Sequence, residues 1–273
     1  MAADFRRDGV RAVLAGGDDP PRPPRMGMAG GDDPPRPPRI GVVWDVLRGI
    51  ASARVAESGR EALDIVDVGG GTGGLAVPFA ALGHNVTVVD PSPDALAAAQ
   101  RRAAEAGARL TAVQGEAASL DGVVGAKAAD LVICHNVLEY VDSPADAMTA
   151  IAAVLRPSAT VSVLAANTVA AVLHRALAGR FAEARQLLEG HTAAEPPRRF
   201  TLPALTALIE AAGLRPGEAH GLRIFSGLVP GALLDGDAGG AGGTEALRAL
   251  EAAAAATPPL RDIAAQLHVL GHR

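Results

Sequence analysis

Short apolar runs alternate with amphipathic segments along the chain from residue 40 to its end. Runs rich in valine, leucine and isoleucine predict buried strands, whereas apolar residues spaced three and four apart predict helices. The predicted strands are residues 63–68, 86–90, 109–113, 129–134, 160–165, 214–225 and 264–270. The predicted helices are residues 40–57, 74–83, 92–106, 143–155, 169–188 (one or two helices), 202–212 and 244–255. Because strands that alternate with helices over short links favour a doubly wound fold, we expect an α/β domain with a doubly wound parallel sheet.

Residues 1–38 have a different character from the rest of the chain. The segment from Gly16 to Arg25 is repeated from Gly30 to Arg39, and both copies are rich in proline. Proline is unfavourable inside helices and sheets. We therefore expect a disordered arm over residues 1–38 and one main domain over residues 39–273.

The composition narrows the classes of function. With 273 residues, 49% of them hydrophobic, the chain can bury a sizeable core. A net charge of −5 and an aromatic content of 3% argue against a broad nucleic-acid surface. The lone Cys134 cannot form an internal disulfide, and no Cys/His cluster has the spacing of metal ligands, so we expect no metal. No signal peptide or membrane-length apolar segment is evident, and we expect a cytoplasmic protein.

The glycine-rich stretch after the first predicted strand is the main candidate for chemistry. Residues 69–74 contain five glycines, and helical spacing resumes at Leu75. Glycine lets a ligand approach the main chain closely, and the free N–H groups of a helix N-terminus favour negative charge. Strand, glycine turn and helix together predict a nucleotide-binding turn.

The glycine spacing does not decide which nucleotide binds. Gly69, Gly71 and Gly74 match the dinucleotide pattern G-x-G-x-x-G. Gly69, Gly71 and Gly73 match the G-x-G-x-G of proteins that bind S-adenosylmethionine (SAM). NAD and SAM therefore both remain open at this stage.

Two carboxylates support a nucleotide site, and one of them, Asp90, fits NAD and SAM equally. Asp67, at the end of the first strand, is placed to hold an ammonium group of the cofactor, directly or through water. Asp90, at the end of the second strand, is placed to accept hydrogen bonds from both hydroxyls of a ribose.

The segment over residues 129–141 favours SAM. Its buried strand ends at the polar pair His135-Asn136, and an apolar turn follows. It resembles class I SAM-dependent methyltransferases, in which the fourth strand ends in a segment of this kind. A short-chain dehydrogenase needs a lysine four residues after its tyrosine, but Pro144 follows Tyr140 at that spacing.

From Arg39 onward the chain is similar, more narrowly, to the bacterial tRNA carboxymethoxyuridine methyltransferase family and its generic relatives. The motifs that carry the resemblance are Arg39-x4-Trp44, the glycine turn, His135-x-Val137-Leu138-Glu139-Tyr140, Asn167, His174-x3-Ala178-Gly179-x-Phe181, Gly221-x-Arg223-Ile224-Phe225 and Leu267-His268-Val269. The resemblance implies a Rossmann-like class I methyltransferase fold, which is a mostly parallel, twisted α/β sheet of seven strands with helices on both faces. It also implies a small helical cap over residues 167–212.

The resemblance also implies roles for particular residues. Those implied for SAM are Arg39 at the carboxylate, Asp67 and the glycine turn, Asp90 at the ribose, Glu116 and Ala117 at the adenine, and His135 at the methionine end. Those implied for the acceptor pocket are Asn167, Arg199 and Arg223.

The acceptor itself is left open by the sequence. A carboxylate acceptor, as in the resembled family, is ionised at neutral pH and needs no base, whereas a hydroxyl or amine acceptor makes His135 or Glu139 the candidate base. The loop 189–199 carries two arginines offset by two glutamates, which is a thin set of contacts for RNA phosphates. A small molecule is therefore favoured slightly over a modified tRNA uridine. An NAD-dependent oxidoreductase and a non-catalytic SAM-binding protein are the alternatives from other classes.

Overall fold

The part of the chain that the structure describes contains one sheet of seven strands. The computed structural model describes residues 41–190, 197–229 and 240–273. The strands are β1 (Asp64–Val68), β2 (Asn85–Asp90), β3 (Thr111–Gln114), β4 (Ala129–His135), β5 (Leu155–Ala166), β6 (Arg215–Leu222) and β7 (Gln266–His272). They lie in the order β3-β2-β1-β4-β5-β7-β6. Strands β1 to β5 pair in parallel, and β7 is antiparallel to its neighbours β5 and β6. The predicted α/β architecture is confirmed.

Several of the helices begin at a residue whose side chain caps the first turn. The described helices are α1 (Gly41–Ser58), α2 (Ala76–Ala81), α3 (Pro93–Glu105), α4 (Leu120–Val124), α5 (Pro144–Val154), α6 (Thr168–Leu177), α7 (Phe181–Leu188), α8 (Leu202–Ala211) and α9 (Gly240–Ala254). The hydroxyls of Ser92 and Ser143 accept hydrogen bonds from free N–H groups in the first turns of α3 and α5. Proline follows each serine, where its missing N–H costs nothing.

Some elements differ from the predictions for local reasons. Helix α4 was not predicted, because five residues are too few to show a helical period. Strand β5 begins at Leu155, earlier than predicted, because Leu155 pairs with Ala129 before the register shifts. Residues 169–188 form two helices that are separated at Gly179, where φ is 75°. The predicted arm and Arg39 lie outside the described residues.

Apolar side chains fill both faces of the sheet. On one face, Trp44 and Leu47 of α1 pack with Phe79 of α2, and the rings of Trp44 and Phe79 lie 4.9 Å apart between centroids. On the other face, α5 and α8 bury apolar side chains against β4, β5 and β7. Both faces are therefore covered, as a parallel sheet requires.

The region predicted as a helical cap, residues 167–212, contains α6, α7 and α8. Leu205 and Ile209 of α8 lie four residues apart and are buried in the same cluster as β5 and β7. Helix α8 therefore belongs to the covering of the sheet, while α6 and α7 pack against each other. The limits of the cap stay a prediction.

An ion-pair cluster joins the amino-terminal ends of the central strands. Asp130, whose side chain is 2% exposed, accepts hydrogen bonds from Arg60 at 2.6 Å and from Arg156 at 2.8 Å. Asp64 accepts from the same two arginines, at 2.8 Å each. The cluster thus connects β1, β4 and β5 at the end of the sheet opposite the glycine turn.

We predict that Asp130→Ala lowers the free energy of unfolding by about 3 kcal/mol, because it removes the buried partner of two arginines. Urea denaturation measures the change. Glu57→Ala is the control, since Glu57 is exposed and lies 3.9 Å from Arg54; it should cost under about 0.5 kcal/mol. Equal losses for the two variants would contradict a structural role for the cluster.

Within the described residues, no helix has both the length and the apolar character needed to cross a membrane.

Candidate functional site

A large pocket opens at the carboxyl ends of β1 and β4. Its volume is about 1000 Å³, at the upper end of the range for small-molecule sites. The strand order reverses between β1 and β4, which is where ligands bind in doubly wound sheets. The lining comes from the turn after β1, the end of β4, the start of α1, the end of β6, and α9.

The glycine turn after β1 forms one wall of the pocket. Gly69, Gly71 and Gly73 have φ values of 64°, 53° and 78°, in the left-handed region that side chains with a Cβ rarely occupy. A Cβ at Gly69 would overlap Cγ2 of Val137, and a Cβ at Gly70 would lie 2.6 Å from Cγ of Asp67. The turn therefore needs glycine both for its dihedral angles and for its close packing.

Asp67 lies beneath this turn and lines the pocket. Its carboxyl group is buried, and burial raises its pKa to about 7. A hydrogen bond with the backbone of Ala76 acts in the opposite direction, and the charge of Asp90 adds to the rise. A nearby cation would stabilise the charged form of this buried carboxyl group. Asp67 is therefore suited to its predicted role of holding an ammonium group.

Asp90 at the end of β2 supports the turn from the side. Its Oδ2 accepts from the N–H of Gly71 and its Oδ1 from the N–H of Ser92, each at 2.9 Å. Each carboxylate oxygen has a second lone pair, so the group can still accept from ligand hydroxyls. Glu116 is exposed and Ala117 is buried next to it, beyond the end of β3.

His135 is the last residue of β4 and is one of the residues that line the pocket. Its Nε2 lies 2.7 Å from Oγ of Ser162. Its Nδ1 is buried and has no hydrogen-bond partner among the described residues. Burial lowers the pKa of the imidazole to about 3, so the ring is neutral at physiological pH.

Glu139 lies in the turn that follows His135. Its Oε1 accepts from the N–H of Ala166 at 2.8 Å, and burial raises its pKa. The residue is 3% exposed, and this bond braces the turn against the end of β5. Its other oxygen, Oε2, is buried and has no hydrogen-bond partner among the described residues, so the role of Glu139 as a base stays a prediction.

The three residues predicted for the acceptor occupy different environments. Arg223 lines the pocket with φ at 59°. Arg199 is exposed, and its charge lowers the pKa of Glu139. Asn167 caps α6 through Oδ1 and donates from Nδ2 to the carbonyls of Asp262 and Ala264 at 2.8 Å each. Its amide is therefore used by the fold.

Helix α9 lines the pocket, which the sequence analysis did not predict. Both oxygens of Glu251 are used: Oε2 accepts from the N–H of Ile224 at 2.7 Å, and Oε1 from those of Phe225 and Ser226 at 3.0 and 2.7 Å. These bonds fix α9 against the end of β6. The helix itself was predicted, but no sequence signal indicated which surface it covers.

Comparisons with known proteins agree with this geometry. A methyltransferase-domain family model matches residues 65–158. The tRNA 5-carboxymethoxyuridine methyltransferase of Escherichia coli (strain K12) is 32% identical over 133 residues, which are 46% of this chain and 49% of that protein. The chain thus spans about half the length of this relative.

A second relative has a longer match. The ubiquinone biosynthesis O-methyltransferase of Xanthomonas axonopodis pv. citri is 31% identical over 176 residues, which are 63% of this chain and 69% of that protein. The chain belongs to the SAM-dependent methyltransferase family. The glycine turn is therefore a SAM motif, and the NAD alternative is set aside.

Solved structures of SAM-dependent methyltransferases share the fold. One from Mesorhizobium loti matches with a TM-score of 0.54 at 19% identity, covering 85% of this chain and 98% of that one. The magnesium protoporphyrin IX methyltransferase of Synechocystis PCC 6803, solved with bound S-adenosylhomocysteine (SAH), matches with a TM-score of 0.52 at 15% identity, covering 85% and 84%. The expected class I methyltransferase fold is confirmed.

We predict that Gly69→Ala destabilises the protein by about 2 kcal/mol or more, from the positive φ and the overlap with Val137. Thermal or urea unfolding measures the loss. Gly74→Ala is the matched control in the same turn, because its Cβ would have no heavy atom within 4 Å. If both variants were as stable as the parent, the turn would not need its glycines.

We predict a pH signature from Asp67. Its pKa is about 7 in the folded protein and 3.8 in the reference state, so the folded state binds the proton more tightly. Stability should then fall as pH rises from about 4 to about 7, by on the order of a few kcal/mol. Asp67→Asn should remove this part of the slope in urea unfolding at several pH values, whereas the exposed Asp121→Asn should not. An unchanged slope in Asp67→Asn would contradict the raised pKa.

Proposed function

We propose that the protein transfers the methyl group of SAM to an oxygen or nitrogen nucleophile of a small molecule. The observation that carries this proposal is the pocket, which places the glycine turn and Asp67 on one side and His135 on the other. Its volume has room for a nucleoside-sized cofactor together with a compact acceptor.

The groups in the pocket region suit SAM. Asp67 offers a buried carboxyl group to the ammonium, and Asp90 offers free lone pairs to the ribose hydroxyls. Gly69, Gly70 and Gly74 line the wall without side chains, so a ligand can approach the main chain. Glu116 and Ala117 remain our candidates for the adenine side. The assignment of Arg39 to the SAM carboxylate concerns a residue outside the described ones.

When bound, SAM supplies a methyl group on a positively charged sulfur, which is already a good leaving group. The protein has to align the acceptor and exclude water. The start of α1, the end of β6 and α9 surround the pocket, and Glu251 holds α9 in place. These elements bind and orient the acceptor in our proposal, with Arg223 as a candidate contact.

The charges favour a small acceptor over tRNA. Among the described residues, the pocket is lined by four acidic residues, Asp45, Asp67, Glu245 and Glu251, and by two arginines, Arg223 and Arg248. Of the two arginines in the loop 189–199, Arg198 donates to the carbonyls of Val141 and Asp142. Acidic groups thus outnumber basic ones around the pocket, which disfavours the approach of RNA phosphates. A cytoplasmic location stays a prediction.

The direct test is methyl transfer from tritium-labelled SAM. Calorimetric titration first compares SAH with NADH, and we expect SAH alone to bind. The labelled SAM is then incubated with bulk tRNA or with a protein-free small-molecule extract, and we expect label in the extract. Label in tRNA would favour an RNA acceptor, and SAH binding without transfer would favour a non-catalytic SAM-binding protein. Failure to bind SAH would contradict the proposal as a whole.

We predict that Asp90→Ala weakens SAH binding at least about tenfold, because two hydroxyl groups lose a charged hydrogen-bond acceptor. Calorimetry measures the dissociation constant. Asp90→Asn keeps the shape of the side chain, and the exposed Asp94→Ala, nearby on α3, is the control that should bind normally. Normal binding by both Asp90 variants would remove Asp90 from the site.

A further inference from the structure

Four polar side chains form a line across one face of the sheet. Nε2 of His135 lies 2.7 Å from Oγ of Ser162, and the same Oγ lies 2.8 Å from Nε2 of His268. Nδ1 of His268 lies 3.3 Å from Nδ1 of His220. We call these four residues the polar line; they stand on the adjacent strands β4, β5, β7 and β6 and so run from the centre of the sheet to its edge.

The polar line crosses a part of this face in which most of the neighbouring side chains are apolar. Its neighbours on this face include Leu131, Ile133, Leu164 and Leu222, all of them buried. Ser162 and His268 are fully buried as well. Aliphatic side chains would cover the face without the cost of burying polar groups, so packing alone does not explain the polar line.

Each end of the polar line has a feature that a set of hydrogen bonds serving only to stabilise the fold would not need. At the inner end His135 is one of the residues that line the pocket, and its Nδ1 is buried without a partner among the described residues. At the outer end Nε2 of His220 lies 3.9 Å from Oε2 of Glu218, whose side chain is 76% exposed. The line therefore leads from the pocket to a carboxylate in water.

The surroundings keep the three imidazoles neutral. Burial lowers the pKa of His135, His220 and His268. The rings of His135 and His220 also disfavour a charge on His268, which lies between them. Arg261 lowers the pKa of His220 further, while Glu218 raises it. At the pocket, the ionisable groups that share the lining with His135 are Asp45, Asp67, Arg223, Glu245, Arg248 and Glu251.

We propose that the polar line is a proton relay that exports the proton of a hydroxyl acceptor from the pocket to the surface at Glu218. This proposal rests on the proposed methyl transfer and specifies its acceptor. A carboxylate acceptor is already ionised and releases no proton, so it needs no such path. A hydroxyl group releases one proton for each methyl group that it receives.

Each proton that enters the relay is matched by one that leaves it. The acceptor oxygen forms its bond to the methyl carbon, the carbon–sulfur bond breaks, and its electron pair neutralises the sulfur. The hydroxyl proton passes to Nδ1 of His135, and the proton on its Nε2 passes to Ser162. Ser162 gives its proton to Nε2 of His268, the proton on Nδ1 of His268 passes to His220, and Nε2 of His220 releases one proton toward Glu218.

This direction requires one arrangement of protons at rest. His135 and His220 must carry hydrogen on Nε2, and His268 on Nδ1. The heavy-atom distances allow the reverse arrangement too, but in that case Nδ1 of His135 carries hydrogen and cannot accept a proton. The tautomers therefore test the relay without knowledge of the acceptor.

The first test is ¹⁵N nuclear magnetic resonance of the histidine rings in the protein alone and with SAH added. We expect neutral rings at pH 7 with the three tautomers stated above. Ser162→Ala should shift the ring signals of His135 and His268. Thr160→Val is the matched control, because Thr160 forms a similar bond, 3.1 Å to Nδ1 of His272, on the same two strands outside the line; it should leave those signals in place. Hydrogen on Nδ1 of resting His135 would overturn the relay.

The second test uses the methylated product, whose stability in alkali distinguishes a carboxylate acceptor from a hydroxyl acceptor. Methyl esters of carboxylates release labelled methanol in alkali, whereas methyl ethers are stable. We expect alkali-stable label from wild-type protein and Thr160→Val. Ser162→Ala should transfer label about a hundredfold more slowly near pH 6.5, with the deficit shrinking toward pH 9 as hydroxyl acceptors ionise unaided.

The outcomes separate this proposal from the proposed function. No methyl transfer at all, or no SAH binding, would contradict the proposed function, and the tautomers would still decide the relay. Alkali-labile label would show a carboxylate acceptor and overturn the hydroxyl assignment. A Ser162→Ala deficit of equal size at every pH would indicate a structural role for the polar line and overturn the relay.

Discussion

The left-handed turn after β1 is the constraint on which the site depends. Three glycines with positive φ reverse the chain within a few residues, and the N–H of Gly69 is fixed by the carbonyl of Val89 at 2.7 Å. The turn can take this path because no Cβ stands between it and Asp67 or Val137. Asp67, the end of β4 and the pocket lining are thereby brought together at the point where the strand order reverses.

The two ends of the sheet serve different purposes. At the amino-terminal ends of the strands, Asp64, Asp130 and two arginines satisfy one another's charges, which stabilises the fold. At the carboxyl ends, the carboxyl group of Asp67 has a raised pKa. The imidazole of His135 there has a buried nitrogen without a hydrogen-bond partner among the described residues. Groups of this kind cost stability when nothing binds to them, and they are typical of sites that exist for a ligand.

The sequence predicted those parts of the fold and site that depend on local patterns. The strands, most helices, the glycine turn, Asp67 and His135 all follow from apolar runs and from residues next to them. Ser162, His220 and His268 could not be predicted as a group, because Ser162 and His268 are 106 positions apart and meet through the pairing of β5 with β7. Asn167 carried a motif resemblance, but hydrogen bonds within the fold account for its amide group.

We propose that this pocket holds SAM with its methionine end between the glycine turn and His135. The deciding experiment is a crystal structure of the protein with SAH bound. We expect the amino group of SAH beside Asp67, the ribose at Asp90, and the sulfur facing the part of the pocket lined by His135. SAH bound elsewhere, or bound in this pocket with its adenine against His135, would show that the proposed binding mode is wrong.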